Sequence, residues 1–216
     1  NGIIFGENAS LDVGGSFIAT TADSVNFVDG TEFTAKNAKS EPILTISVPI
    51  GLNLGNNPGN IVNNSVANDV GLQVLPGKNI SLIGGNINLD RGLITAPGGK
   101  VELGGLAAPG MIAIDEDSSF SFPQEVAKAD ITLSNGAVTN VRSTGGGNIN
   151  VNASNLDLTE NSELRAGINQ DSTSNNAQAG DIVINVNDDL TLDNSRISNQ
   201  VNQDGVGNSG NIKIIT

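Results

Sequence analysis

A short motif, a glycine followed by apolar residues in alternation, recurs along the chain and constrains its fold more than any other feature. Residues 77–82 return as residues 98–103, so that Ile80 and Val101 lie 21 residues apart. Near the C-terminus the motif starts at Gly147, Gly180 and Gly210, at intervals of 33 and 30 residues. Self-similarity at such a period is the signature of a solenoid, in which each repeat buries its apolar face against its neighbours. The sequence therefore predicts an elongated rod.

Within one repeat the apolar residues alternate in short runs, which are typical of β-strands. Two successive copies carry them at Ile149/Val151, Leu156/Leu158 and Leu164, then at Ile182/Ile184, Leu190/Leu192 and Ile197. Three strands and three turns in roughly 21 residues match one coil of a parallel β-helix, whose coils stack about 4.8 Å apart. The longer periods place residues 169–179 and 199–209, which are polar, in surface loops at one corner. The predicted fold class is all-β, a parallel β-helix built as a single-stranded solenoid.

Two further predictions concern the N-terminal half. Ile3, Phe5 and Leu11 are matched at an offset of 22 residues by Val25, Phe27 and Phe33, which predicts that the coils begin at residue 1. Residues 42–54 are almost continuously apolar or alternating, and prolines at positions 42 and 58 flank them. Because proline within a strand favours a sheet edge, we expect an extra-helical β-hairpin over residues 42–66, packed on the side of the helix.

Composition narrows the range of partners and compartments. The net charge of −13 disfavours nucleic acid and anionic membranes, which need a positive protein surface. No run of about 18 apolar residues is present, so no transmembrane segment is predicted, and no signal peptide is recognised. The absence of cysteine favours export, since stray thiols would be oxidised in the periplasm. The start at Asn-Gly-Ile, with Met111 as the lone methionine, leads us to expect an internal fragment.

Several stretches resemble one known family. They are residues 1–6 (NGIIFG), 9–21 (ASLDVGGSFIATT), 49–52 (PIGL), 71–78 (GLQVLPGK), 82–85 (LIGG) and 93–104 (LITAPGGKVELG). Together they resemble the filamentous haemagglutinin N-terminal domain, the secretion domain of two-partner-secretion exoproteins. Their sequence is similar to that of the cyanobacterial branch of the family. The family carries an Asn-Pro-Asn-Gly-Ile motif, of which Asn1, Gly2 and Ile3 form the remnant here. The resemblance thus identifies an N-terminally truncated member.

The resemblance implies a right-handed parallel β-helix and a route of export. Residues 1–110 would be the C-terminal part of the two-partner-secretion (haemagglutination activity) domain, and residues 111–216 would be repeats of the exoprotein rod. The implied partner is an outer-membrane β-barrel transporter, reached through the periplasm. The implied function is that of an adhesin or haemagglutinin-like structural rod, extracellular or at the bacterial cell surface. The receptor or glycan on the host or neighbouring cell stays open.

One cluster of carboxylates is a candidate metal site. Asp115, Glu116 and Asp117 are consecutive, and oxygen ligands are those that Ca²⁺ takes. No glycine stands at the EF-hand spacing, so a solvated acidic turn is the simpler interpretation and a weak calcium site is the alternative. No other cofactor is predicted.

Parallel β-helices also include polysaccharide lyases and hydrolases, so an enzyme is the rival hypothesis. Such sites gather two or three carboxylates, with an Arg or Lys, on adjacent coils. Arg165 and Arg196 stand near equivalent turns, beside Glu163 and Asp193. Charge pairing on the outer wall explains them more simply, and no active site is predicted. Asparagines at turns, including Asn161 and Asn194, are expected to stack along the rod rather than form a site.

Overall fold

The computed structural model describes residues 2–34 and 47–216, and these residues form an all-β rod. Three parallel sheets make its walls. The first sheet contains, in order, β1 (Ile3–Phe5), β6 (Ile61–Asn63), β9 (Ile87–Asp90), β14 (Ile131–Ser134), β17 (Leu156–Thr159) and β20 (Leu190–Asp193). The second contains β2 (Phe17–Thr20), β8 (Ile80–Gly84), β11 (Lys100–Gly105), β16 (Asn148–Ala153), β19 (Ile182–Val186) and β22 (Ile212–Ile215). The third contains β7 (Leu72–Gln73), β10 (Leu93–Thr95), β15 (Val138–Asn140), β18 (Glu163–Ile168) and β21 (Arg196–Val201).

The chain visits the second, first and third sheets in turn, which is the winding of a parallel β-helix. The predicted offsets set the register: Ile80 lies opposite Val101, and Ile149 lies opposite Ile182, which lies opposite Ile212. A single 3₁₀ turn, Ala67–Asp69, is the only helical segment among the described residues. The predictions of an all-β fold and of a parallel β-helix are therefore confirmed.

The core runs along the inside of all three sheets. Alternate residues of each strand point inward, as at Leu156 and Leu158, whose side chains are fully buried. Leu190 packs against this core, and Leu192 lies on the same face, opposite the buried Leu158, but it is 47% exposed. Their strand, β20, is the edge strand of the first sheet and has a neighbour on one side only.

A fourth sheet, which we call the side sheet, is antiparallel and lies outside the helix. Its strands are, in order, β13 (Phe120–Ser121), β12 (Gly110–Ile114), β5 (Pro49–Leu54), β3 (Ser24–Phe27) and β4 (Glu32–Thr34). Its inner face packs on the outer face of the second sheet, where Ile83 and Leu106 meet Leu52, Leu54 and Ile112. Both excursions that supply these strands leave the helix after the second sheet and return to the first sheet.

The side sheet corrects two predictions. Residues 42–66 do not form one hairpin: β5 pairs with β3 and β12, whereas β6 returns to the first sheet between β1 and β9. Residues 42–46 of that predicted hairpin lie outside the described residues. The 22-residue offset is also wrong, because Ile3 pairs with Ile61 and Val25 pairs with Phe33 across the side sheet. Val25 and Phe27 do alternate, but their strand pairs with antiparallel strands of the side sheet and not with the next coil.

The polar insertions of the last coils lie at one corner, as predicted, and they stack on each other. The Val206 N–H donates to the Ser172 carbonyl at 2.9 Å, and the Ala179 N–H donates to the Asn208 carbonyl at 2.9 Å. Ile168, Ala177 and Ala179 form a small core beneath them. The second insertion starts later than predicted, because residues 199–201 belong to β21.

Candidate functional site

Side chains at one corner of the rod form a ladder that joins successive coils. From β6 onwards the residue before each strand of the first sheet is Asn or Asp, and from Asn60 to Asn155 its side-chain oxygen accepts the backbone N–H of the equivalent residue one coil later. Asn60 accepts from Asn86 (3.2 Å), Asn86 from Asp130 (3.0 Å), Asp130 from Asn155 (3.1 Å) and Asn155 from Asp189 (3.1 Å). Each such bond contributes about 1 kcal/mol. We call this the first ladder, and it is structural.

A second ladder lies at the start of the strands of the second sheet. Ser16 accepts the N–H of Asn79 (3.0 Å), and Asn79 accepts the N–H of Lys100 (2.9 Å). Asn148 accepts the N–H of Asp181 at 2.9 Å, and Asp181 accepts that of Asn211 at 2.7 Å. Lys100 lies opposite Asn148 and therefore occupies a ladder position. Because lysine has no acceptor oxygen, the ladder is interrupted at this coil.

The side chain of Lys100 turns instead to the side sheet. Its ammonium lies 3.3 Å from Asp117, in the turn between β12 and β13, and 3.9 Å from Glu102. Glu102 is 1% exposed and accepts a hydrogen bond of 2.9 Å from the Asn150 amide. Burial raises the pKa of Glu102 to about 7, against smaller lowering effects of Asn150 and Lys100. We call Lys100, Glu102 and Asp117 the side-sheet clamp.

The predicted calcium site lies in the turn that carries this clamp. Asp115 accepts a hydrogen bond from the Ser121 hydroxyl at 2.7 Å. Hydrogen bonds from the Ser119 side chain and backbone, and then Lys100, lower the pKa of Asp117 to about 2. Glu116 is exposed between them. Across residues 2–34 and 47–216, no group of three His, Cys, Asp or Glu side chains is placed to hold a metal ion. The weak calcium site stays a prediction that this geometry does not favour.

The groove over the first sheet bears on the enzyme hypothesis. It measures about 580 Å³ and is lined by amide, hydroxyl and carboxylate groups, including Asp130, Asp157 and Asp189. Asp130 is already bonded to the backbone and amide of Asn155 in the first ladder. Among the described residues that line the groove there is no lysine or arginine. The groove therefore has the carboxylates of a lyase or hydrolase site without its cation.

The charge pairing predicted on the outer wall is present. The Glu163 carboxylate pairs with Arg165, two residues along the same strand, and with Arg196 of the next coil at 2.9 Å. Hydrogen bonding from both arginines lowers the pKa of Glu163. Asp193 has no ion pair with a described residue. The ion pair between Glu163 and Arg196 links β18 to β21.

Asn161 and Asn194 are stacked at equivalent corners, as predicted, but through the backbone. The Asn161 N–H donates to the Asn194 carbonyl at 2.9 Å. Both residues have positive φ, 65° and 50°, which asparagine tolerates better than most residues. Their conformation turns the chain from the first sheet into the third.

The secretion-motif remnant lies against the next coil. Asn1 is outside the described residues. Gly2 lies so close to Asn60 that an added Cβ would collide with the Asn60 carbonyl oxygen. The Ile3 N–H donates to that same carbonyl at 2.9 Å, and its side chain packs against the core. Gly2 and Ile3 thus hold the first strand to the rod.

The family comparison joins this geometry to a function. Residues 1–151 match the family model of the TPS secretion domain, the domain of two-partner secretion. The chain belongs to the two-partner secretion domain family. The predicted resemblance is thereby confirmed, and the protein is a two-partner-secretion exoprotein, which is secreted. No curated protein and no solved structure matches the chain.

The match covers most of the features described above. This two-partner secretion domain includes the whole side sheet, the side-sheet clamp and the coils from β1 to β15. Beyond residue 151 the parallel pairing continues through β19 and β22 without a break. The predicted division at residues 110 and 111 stays a prediction. In the part of the chain that the structure describes, no helix has the length and hydropathy needed to cross a lipid bilayer.

Sequence reasoning predicted that asparagines at the turns stack along the rod, and Asn86 and Asn148 do so in the two ladders. It did not predict the side-chain-to-backbone bonding of the ladders, and it missed the side-sheet clamp. The ladders have a local signal, since Asn or Asp directly precedes the first inward apolar residue of a coil, as at Asn86–Ile87 and Asp130–Ile131. The clamp has no such signal. The burial of Glu102 depends on a sheet assembled from strands far apart in the chain.

Proposed function

We propose that the protein leaves the cell through an outer-membrane transporter dedicated to it and acts outside as an adhesive rod. The single observation that carries this proposal is the match of residues 1–151 to the secretion domain, on a chain folded as a parallel β-helix. Its place of action would be the medium or the bacterial cell surface, after passage through the periplasm and outer membrane.

The architecture suits such a route for a physical reason. A chain crossing a narrow pore must be unfolded, and a β-helix folds by adding one strand at a time to an existing sheet edge. Each new coil gains backbone bonds and buries apolar residues such as Ile149 against Val101 of the coil before. Folding outside therefore stabilises the exported part and opposes its return.

The adhesive role is supported by the shape and surface of the rod. The outer walls present long polar faces, of which the groove over the first sheet is one. The side sheet adds a broad outer layer at the N-terminal coils. A rod of this kind holds binding surfaces at a distance from the cell, which is what adhesion requires.

The secretory part is tested with matched glycine variants. In the exoprotein produced together with its transporter, Gly2→Ala is compared with Gly210→Ala. Both glycines touch a neighbouring backbone, Gly2 at Asn60 and Gly210 at Gly180, so both changes disturb packing of the same kind. Only Gly2 belongs to the secretion motif, and we expect its variant to be exported more slowly. Asn1→Ala and Asn211→Ala form a second pair with the same expectation.

The amount of protein in the medium, measured with and without the transporter, decides the outcome. Export that persists without the transporter contradicts the route. Equal loss of export in the Gly2 and Gly210 variants would show that coil stability, not the motif, limits secretion. Adhesion is measured separately, as binding of the purified protein to cell surfaces.

A further inference from the structure

A second groove, which we call the amide groove, lies on the outer face of the second sheet beside the side sheet. It measures about 460 Å³. Its lining comes from the chain that leaves the side sheet, from β16, from β19 and the residue after it, and from the last two residues of the sequence: Phe122, Gln124, Lys128, Asn152, Asn185, Val186, Asn187, Ile215 and Thr216. The groove differs from the one over the first sheet in its charge and in its aromatic wall.

The floor of the amide groove is an outward column of the second sheet. Gly104, Asn152 and Asn185 lie opposite one another on successive coils. The Asn185 amide donates to the Asn152 oxygen at 3.2 Å, and neither side chain makes another hydrogen bond with a described residue. The Asn152 amide hydrogens and the Asn185 oxygen therefore stay available to a ligand.

The aromatic wall depends on a glycine. Phe122 lies on the sheet where Gly104 has no side chain, and a Cβ at that position would collide with the ring. The ring is only partly buried there and forms one side of the groove. It thus offers an apolar face next to a row of amides.

Lys128 supplies the one charged side chain of the lining. The backbone around it is fixed, because the Ala107 N–H donates to the Ala127 carbonyl (2.8 Å) and the Ala129 N–H to the Gly105 carbonyl (3.0 Å). Lys128 forms no ion pair with any residue that the structure describes, and burial lowers its pKa. No acidic side chain lines this groove, although the chain has 23 Asp and Glu and the groove over the first sheet has three. A partly desolvated cation without a counter-ion favours an anionic ligand.

We propose that the amide groove binds an acidic sugar unit, a hexuronate of an extracellular polysaccharide. The Lys128 ammonium pairs with its carboxylate, the amides of Asn152, Asn185 and Gln124 bond its hydroxyls, and the Phe122 ring packs on its C–H face. A few placed polar groups beside an apolar wall are the usual composition of a small-ligand site. With one cation in the groove and a net charge of −13 on the whole chain, the site fits one carboxylate rather than a densely charged polyanion. This inference deepens the adhesive part of the proposed function and rests on it for the location of the sugar.

The test titrates the purified 216-residue chain with α-1,4-linked galacturonic acid trimer and, as a matched control, with the neutral galactose trimer, by calorimetry. We expect saturable binding of the acidic trimer and at least about tenfold weaker binding of the neutral one, because a charge-assisted hydrogen bond is lost. Lys128→Gln should weaken binding of the acidic trimer about tenfold. Gln124→Glu, at an exposed position, should weaken binding of the acidic trimer, because the new carboxylate repels the carboxylate of the sugar.

Lys78→Gln is the control, since Lys78 is exposed and does not line the groove. Thermal unfolding of each variant verifies that the rod is intact. The proposal is overturned if no saturable binding occurs, if both trimers bind equally, or if Lys78→Gln weakens binding as much as Lys128→Gln. Because binding is measured in vitro, its failure leaves the export measurement unaffected, and failure of export leaves the binding result intact.

Discussion

The buried carboxyl of the side-sheet clamp should make the rod less stable as the pH rises. Glu102 has an ordinary pKa of 4.5 and a pKa of about 7 in the folded protein. The folded state therefore holds a proton that the unfolded state releases, so the free energy of unfolding falls between pH 4.5 and about 7. At about 1.4 kcal/mol per pH unit, the free energy of unfolding is about 3 kcal/mol lower above pH 7 than below pH 4.5. Glu102→Gln removes the ionisation and should stabilise the protein by up to that amount at pH 8.

The variant keeps the other contacts of this position. A glutamine oxygen still accepts the hydrogen bond from the Asn150 amide, and Lys100 keeps its ion pair with Asp117. At pH 4 the glutamate is largely protonated in both states, so the variant and the parent should unfold at nearly the same urea concentration. The measurement is the difference in free energy of unfolding between the two proteins, by urea titration, at pH 4, 6 and 8.

Glu163→Gln provides a control of opposite sign. The pKa of Glu163 is lowered by Arg165 and Arg196, so its ionised form stabilises the fold above its ordinary pKa, and that stability is lost as the pH falls through the folded value. The control variant should be less stable than the parent at pH 8. A Glu102→Gln protein that is less stable than the parent at pH 8, or whose advantage does not shrink towards pH 4, would refute the reasoning.

Three further predictions concern the rod itself, each measured by urea unfolding. Leu158→Asp places an unpaired charge in the core and should cost more than about 3 kcal/mol, whereas Asn176→Asp in the exposed loop should cost about nothing; equal costs would contradict the register. Gly105→Ala forces two coils apart at the Gly84 carbonyl and should cost about 1–3 kcal/mol, whereas Gly14→Ala, in open space, should be neutral. Asn155→Ala removes two bonds of the first ladder and should cost about 1–2 kcal/mol, and no loss would mean that water replaces them.

The repeat pattern predicted the walls of the rod because sequence spacing and spatial stacking coincide there. Ile149, Ile182 and Ile212 follow the same glycine motif and lie opposite one another on three successive coils. In a β-helix each strand pairs with the equivalent strand of the next coil, so a self-similar sequence contains its own register.

The side sheet could not be predicted in the same way. Val25 and Phe27 alternate like residues of a coil, but their partners are Leu52 and Pro49 of an antiparallel strand. Alternation fixes which face of a strand is apolar and leaves the partner undefined. The amide groove and the side-sheet clamp follow from that sheet, so Lys128 and Glu102 resemble ordinary surface residues in the sequence.

The ladders also help the chain to avoid errors of register between successive coils. Alternation along a strand separates inside from outside, but a slip of two residues leaves every apolar side chain facing inward. The first ladder distinguishes these alternatives, because such a slip removes the Asn86 oxygen from the N–H of Asp130. A misregistered coil would lose about 1 kcal/mol for each such bond. The ladder side chains at the corners therefore define the register of each coil relative to the coil before it.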